Sequence, residues 1–381
     1  MMRWAGIIAG LFLLCASPVV RGHGANTQTD NLNYAAPGPY AVGRTWLLFN
    51  DSAGNRRVLS VWYPAIQVDG KTRQAPLDVP EGSRIANMRI LDTGGWGDGV
   101  LNAPPDTSSG PYPLVIFSPG YTAEPSLYSR IEEHLASYGF VVVSANSSDK
   151  QMWSHYVVRP RDTILTIDFA QYLSSEGGSF SGLIDTQHTA IVGHSSGGYT
   201  ALAAAGAQIN FNWFEVWCGQ HDTSPDAAAV CPDLLTSKND MLALANLDVM
   251  PDGLWPGWGD PRVVAVVSQS GDAYIFGPEG LASVTIPVMV QVGSKDSVNT
   301  PEWSAYMTYD NVSSLQKSLV VFQGRDHFIF GDTYSSKLAD SINHFTTAFL
   351  LDMVKQDKTA HQSLLLDTVN VSDVIYKTTL K

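Results

Sequence analysis

Residues 188–205, HTAIVGHSSGGYTALAAA, decide the fold. His188-Thr-Ala-Ile-Val192 reads as a strand, and Ser196–Ala207 as a helix of small residues. Between them, Gly193-His-Ser-Ser-Gly197-Gly198 has the spacing G-x-S-x-G. A strand that turns this sharply into a helix holds its central serine in a strained conformation with Oγ exposed. Here that serine is Ser195. Side chains at positions 193 and 197 would clash with the neighbouring strand and helix, so glycine stands at both. The helix that follows offers unpaired N–H groups and the positive end of its dipole to any negative charge at the turn. Ser196 is the rival hydroxyl, but it lies off the central position. Its N–H is better suited to stabilise an oxyanion.

The same rhythm extends in both directions. Upstream, Gly43–Asn50 and Arg57–Tyr63 alternate around the turn Asp51–Asn55, which predicts a hairpin. Residues 66–112 are rich in Pro, Gly and Asp and read as irregular. Pro113–Ser118 and Phe140–Ser144 are continuous apolar runs, the mark of strands buried on both faces. A helix is predicted between them over Pro125–Tyr138, ending at Gly139, and another over Arg161–Leu173. Downstream, strands are predicted at Arg262–Ser268, Pro287–Val292 and Lys317–Phe322, with helices at Pro301–Tyr309 and Ser335–Val354. Strands alternating with helices predict an α/β fold with a mostly parallel central sheet. The rhythm breaks between residues 206 and 260, which hold four Trp (213, 217, 255 and 258). We read this as an insertion near the active-site edge of a single catalytic domain over residues 25–381. In the tail, residues 359–381, alternation over Leu365–Tyr376 hints at an added strand.

A serine hydroxyl is a weak nucleophile at neutral pH and needs a base. Of the nine His, His327 follows the last predicted strand in the loop Gln323-Gly-Arg-Asp-His-Phe328, just before the long helix. His155 and His221 read as loop residues upstream of the expected acid, and His194 sits inside the turn itself. The acid should end the preceding strand, and Asp296 does so in Gly293-Ser-Lys-Asp296. Its role would be to orient His327 and stabilise the imidazolium. Asp272, one strand earlier, and Asp326, beside His327, are the rivals. The oxyanion needs two N–H donors. Ser196 supplies one, and Tyr121, in Pro119-Gly-Tyr-Thr-Ala123, the other. The Tyr121 ring, His194, Trp213 and Trp217 are the candidate substrate-pocket residues. No metal ligand set or cofactor motif is present in the sequence.

Composition bounds the rest. The chain has 381 residues with 23 Lys+Arg against 36 Asp+Glu, a net charge of −13. Such an acidic chain without a basic run is a poor nucleic-acid binder. Charged residues are 15% of the total, against roughly 25% in an average globular chain, while hydrophobic residues are 44%. The opening run after Arg3, Ala5–Ala16, is apolar and uncharged but falls short of the about 20 residues that span a bilayer. It reads as the core of a signal peptide over residues 1–24, so a secreted chain with no transmembrane segment is expected. Cleavage would remove Arg3 and Arg21 and no acid, taking the net charge to about −15. Of the three Cys, Cys15 would leave with the leader. Cys218 and Cys231 remain, and in an oxidising compartment they predict one local disulfide, contributing roughly 3 kcal/mol. A monomer is expected.

Together the residues resemble a known family. FSPGYTAEPSLYSRIEEHLASYGFVVVSANSSD (117–149), GHSSGGYTALA, DPRVVAVV, IPVMVQVGSKD and GRDHF are similar to α/β-hydrolases of the platelet-activating-factor acetylhydrolase and dienelactone-hydrolase-like group. The hairpin ending in VWYPA resembles that group as well, and PGYTA followed by HLASYGFVVV resembles bacterial cutinases and polyester hydrolases. The resemblance implies an α/β-hydrolase fold and a serine carboxylic-ester hydrolase without a metal. Its nucleophile, acid and base fall on Ser195, Asp296 and His327, and its oxyanion donors on Tyr121 and Ser196. Dienelactone hydrolases proper carry Cys where this chain has Ser195. Cutinase-like enzymes carry a Trp just after the strand at 262–268, where this chain reads Gln269-Ser-Gly-Asp272, and their insertions are shorter. The expected function is therefore a secreted esterase acting on a small-molecule, lipid or polymer ester. Polyester hydrolase and phospholipid acetylhydrolase are the alternatives, and a non-catalytic binding protein on the same fold is the contrasting class. The acidity favours neutral or zwitterionic esters over anionic surfaces.

Overall fold

A computed structural model describes residues 30–68, 99–145, 151–332 and 335–381. The expected leader at 1–24 lies outside the described residues. Ten strands form one sheet: β1 (Ala41–Asn50), β2 (Arg56–Ala65), β3 (Val100–Leu101), β4 (Tyr112–Ser118), β5 (Val141–Ala145), β6 (Ile184–His194), β7 (Val263–Gln269), β8 (Val288–Gly293), β9 (Lys317–Phe322) and β10 (Val374–Thr378). Their spatial order is β10-β9-β8-β7-β6-β4-β5-β2-β1-β3. From β5 to β9 every pairing is parallel, while β1–β2, β2–β5 and β9–β10 are antiparallel.

The apolar runs are buried on both sides. In β4, Leu114 and Ile116 face one hydrophobic core, and Val115 and Phe117 face the other. In β7, Val263 and Val266 divide in the same way from Ala265 and Val267. A period-2 strand between two helical layers needs an apolar residue at every position, which is why these runs lack the polar alternation of a half-exposed sheet.

Helices α1 (Ser129–Ser137) and α9 (Ser336–Lys355) supply one layer. The other holds α2 (Met152–Ser174) and α3 (Ser196–Ala204), which pack on each other. Helix α2 begins nine residues earlier than the periodicity predicts. Pro160 lies inside it, where proline lacks an N–H and strands the carbonyl four residues back. That carbonyl belongs to Tyr156, and the Tyr199 hydroxyl donates to it at 2.7 Å. A side chain from α3 thus replaces the missing backbone donor, and the helix continues through the proline.

Residues 206–260 fold into α4 (Phe211–Gln220), α5 (Pro225–Thr236) and α6 (Lys238–Leu244). A disulfide joins Cys218 of α4 to Cys231 of α5, with Cα atoms 5.8 Å apart. Phe211, Phe214, Trp217 and Trp255 are buried in the core beneath these helices. Three short helices follow in the chain: α7 (Gly277–Leu281), α8 (Met307–Asn311) and α10 (Lys358–Ser363). In the tail, the strand that pairs with β9 is β10, later and shorter than the alternating run suggests.

One buried acid sets a pH response. Glu132 of α1 is 1% exposed and accepts from the Trp62 indole at 2.9 Å. Burial, with some help from the nearby Asp332 charge, pushes its carboxyl up from 4.5 to about 8. The folded chain therefore holds this proton where the unfolded chain has lost it. The resulting stability is complete below about pH 4.5 and is lost as pH rises through about 8. Thermal unfolding of Glu132→Gln should show a midpoint at least about 2 °C above wild type at pH 8.5 and no such gain at pH 5. An equal difference at both pH values would contradict the assignment.

Candidate active site

Strand β6 ends at His194, and Ser195 takes the turn into α3 with φ 56° and ψ −122°. This left-handed conformation is costly for a residue with a side chain. Packing enforces it. A Cβ at Gly197 would collide with the Ser118 carbonyl of β4, and one at Gly193 with the Gly197 carbonyl. The Ser195 N–H donates to the Gln269 carbonyl of β7 at 2.8 Å, which pins the turn to the next strand.

Strands β8 and β9 deliver the other two residues. Asp296 follows β8 and His327 follows β9, and His327 Nδ1 lies 2.8 Å from Asp296 Oδ2. Both side chains are buried. The other carboxylate oxygen of Asp296 accepts from the Val298 and Asn299 N–H groups, each at 2.9 Å. Burial by itself would raise the Asp296 carboxyl. The His327 hydrogen bond and charge, with the Asn299 N–H, outweigh it and hold the group below its ordinary value. An ionised acid against Nδ1 leaves Nε2 as the ring's other nitrogen for proton transfer.

Ser195, Ser196, Tyr121 and His327 line one cleft of about 610 Å³. Its walls are mainly apolar, and Leu127, Val298 and Phe328 expose apolar surface at its mouth. The loop after β4 brings Tyr121 to the cleft. There, the buried Arg159 of α2 donates to the Pro119 carbonyl at 2.6 Å and to the Gly120 carbonyl at 3.2 Å. The Ala123 N–H also donates to Gly120 O, at 3.1 Å. In a trans peptide the C=O and N–H point oppositely, so holding the Gly120 carbonyl toward α2 turns the Tyr121 N–H the other way.

The remaining sequence-predicted pocket residues divide. His194 borders the cleft, but both ring nitrogens are engaged inside the protein. Trp213 and Trp217 do not line the cleft. Trp217 is 1% exposed and stacks on Tyr274, with ring centroids 5.0 Å apart, and Trp213 packs over Gly277. These aromatic residues of α4 bind the segment to the core. The segment reaches the cleft instead through Ala229 and Val230 of α5.

Sequence reasoning missed Met152, His155 and Tyr156, which line the cleft from the first turns of α2. The signal was hidden by Pro160, which made the preceding stretch read as a loop. His155 is buried, with Nε2 3.8 Å from Asp272 Oδ2, too far for a hydrogen bond. Asp272 also faces the cleft, but its Oδ2 accepts from the hydroxyls of Tyr156 at 2.7 Å and Tyr274 at 3.3 Å.

These features resemble those of α/β-hydrolases that carry a serine at a strand-to-helix turn. Comparison with known proteins narrows the resemblance to PET hydrolase-like proteins and cutinases. A family model described as PET hydrolase-like matches residues 66–251. The chain is 35% identical over 121 residues to a bis(hydroxyethyl) terephthalate hydrolase of Streptomyces coelicolor, a match covering 31% of this chain and 36% of that one. It is 32% identical over 137 residues to cutinase est1 of Thermobifida alba, covering 35% and 42%. A cutinase of Thermobifida fusca matches at 27% over 131 residues, covering 31% and 38%. The chain thus spans less than half the length of these relatives. The family match includes Tyr121 and Ser195 and stops before Asp296 and His327. Together the matches support a carboxylic-ester hydrolase.

The two acids should separate on substitution. Asp296→Asn should lower kcat on p-nitrophenyl acetate by about 10³–10⁴-fold, because the amide no longer holds the imidazole in the working tautomer. Asp272→Asn should stay within about tenfold of wild type. The reverse order, measured by steady-state kinetics, would make Asp272 the acid.

Proposed function

We propose that the protein is a secreted serine carboxylic-ester hydrolase working through an acyl-enzyme on Ser195. The observation that carries this reading is the joint placement of the strained Ser195 and the Asp296-paired His327 on one apolar cleft. His327 takes the proton as Ser195 Oγ attacks the ester carbonyl. The tetrahedral oxyanion is held by the N–H groups of Tyr121 and Ser196, with the N-terminus of α3 adding its dipole. His327 then protonates the departing alcohol. Water, activated by the same imidazole, releases the acid and restores the serine. No metal or cofactor enters this sequence. Secretion is supported by the apolar run near the N-terminus and by the disulfide.

The relatives' names and the apolar mouth favour a neutral ester with an apolar or aromatic acyl part. Asp272 and Tyr274 line the cleft beyond the end of β7, in the stretch where the cutinase-like pattern has its Trp. A polar wall there suits small soluble esters better than a flat polymer chain. Wild-type protein should hydrolyse p-nitrophenyl acetate and bis(hydroxyethyl) terephthalate. Ser195→Ala should lose at least about 10³-fold on both with an unchanged circular-dichroism spectrum. Retained turnover in that variant, or no turnover of any ester by wild type, would overturn the reading, the latter in favour of a non-catalytic binding protein.

A further inference from the structure

Three hydrogen bonds run from the loop after β4, through the elbow, to the main chain of His327. The Gly120 N–H donates to the Tyr128 hydroxyl at 3.1 Å. That hydroxyl lies 2.9 Å from His194 Nδ1. His194 Nε2 lies 2.9 Å from the main-chain carbonyl of His327. The chemistry gives each proton one place. A carbonyl only accepts, so His194 Nε2 carries a proton. Burial, reinforced by the neighbouring His327, pushes the His194 ring down to about 3, so it is neutral and Nδ1 is a bare acceptor. The Tyr128 hydroxyl therefore donates to Nδ1 while its lone pair receives the Gly120 N–H.

The relay joins segments that are distant in sequence. Tyr128 is 3% exposed and His194 is 4% exposed, so neither hydroxyl nor ring can exchange these partners for bulk water. One residue separates His194 from the α3 N-terminus, and Ser195 is that residue. The Gly120 N–H is consumed by Tyr128, which leaves the next peptide, already oriented by Arg159, to face the substrate oxygen.

We propose that Tyr128 and His194 are positioning residues, a neutral relay that fixes the oxyanion loop and the His327 main chain to the turn presenting Ser195. The proposal rests on the reading of Ser195 and His327 as nucleophile and base. Its function is geometric. Transition-state stabilisation by an oxyanion donor falls steeply when the donor moves by a fraction of an ångström. The relay sets the distance between the donor loop and the base through three short contacts and no flexible side chain.

Kinetics of p-nitrophenyl acetate hydrolysis test this. Tyr128→Phe removes one hydroxyl and keeps the ring. It should lower kcat by about 10- to 100-fold with KM within about threefold of wild type. His194→Phe should show a similar loss. His194→Gln, whose amide can accept from Tyr128 and donate to the His327 carbonyl, should recover kcat to within about fivefold. The double variant Tyr128→Phe/His194→Phe should be no worse than about threefold below the weaker single, since both break one unit. A merely structural pair would move the thermal midpoint without this kcat–KM split and without rescue by Gln. Tyr128→Phe with wild-type kcat, fully additive losses, or no rescue by Gln would each overturn the relay. The Ser195→Ala control keeps the two questions apart. If that control remains active, the nucleophile assignment fails. If it is dead while Tyr128→Phe is unaffected, the relay alone fails.

Discussion

The structure depends on a backbone contact at the elbow. Gly197 meets the Ser118 carbonyl so closely that no side chain fits, and Gly193 meets Gly197 in the same way. This contact lets β6 turn into α3 within one residue, and the turn forces Ser195 into its left-handed conformation. A strained residue persists only when its surroundings over-determine it. Here they do so from both sides: β4 presses on Gly197, and β7 accepts the Ser195 N–H. The parallel order of β4, β6, β7, β8 and β9 then places the loops that carry Tyr121, Ser195, Asp296 and His327 at one edge of the sheet.

Around that turn the buried polar groups are arranged to settle charge and tautomer. Asp296 is kept ionised by hydrogen bonds that overcome its burial. Arg159, a buried cation, spends two donors on the carbonyls of the loop that carries Tyr121. His194 is neutral and has a defined tautomer because one partner can only accept. Buried polar groups are costly when unpaired and rigid when paired. The cleft therefore combines apolar walls, suited to a neutral ester, with donors whose directions are fixed before substrate arrives. That combination is what electrostatic preorganisation requires.

Much of this was legible in the sequence, for physical reasons that differ by element. The elbow showed itself because its glycines answer a steric demand that no other residue meets. The strands from β4 to β9 showed themselves because burial on both faces makes their central stretches mostly apolar, as in Ala190-Ile-Val192, Val263–Val267 and Leu319–Phe322. Cys218 and Cys231 stood close enough in sequence to suggest their bridge. The first half of α2 was hidden, because Pro160 is a helix breaker unless another donor serves the Tyr156 carbonyl, and that donor is Tyr199, a residue far along the chain. With α2 shortened, His155 passed for a loop residue and its place in the cleft was missed. Trp213 and Trp217 misled in the opposite way. An aromatic cluster in an inserted segment fits a pocket and a local core equally well in sequence, and here the cluster holds α4 to the body of the protein.

The central claim is that this one strained serine is the nucleophile. Treatment with diethyl 4-nitrophenyl phosphate tests it directly, because a serine oxygen made nucleophilic by its base displaces 4-nitrophenolate and keeps the diethylphosphoryl group. Intact-mass analysis should show a single adduct, and peptide mapping should place it on Ser195. An adduct on Ser196 or elsewhere, or an unmodified protein, would contradict the account.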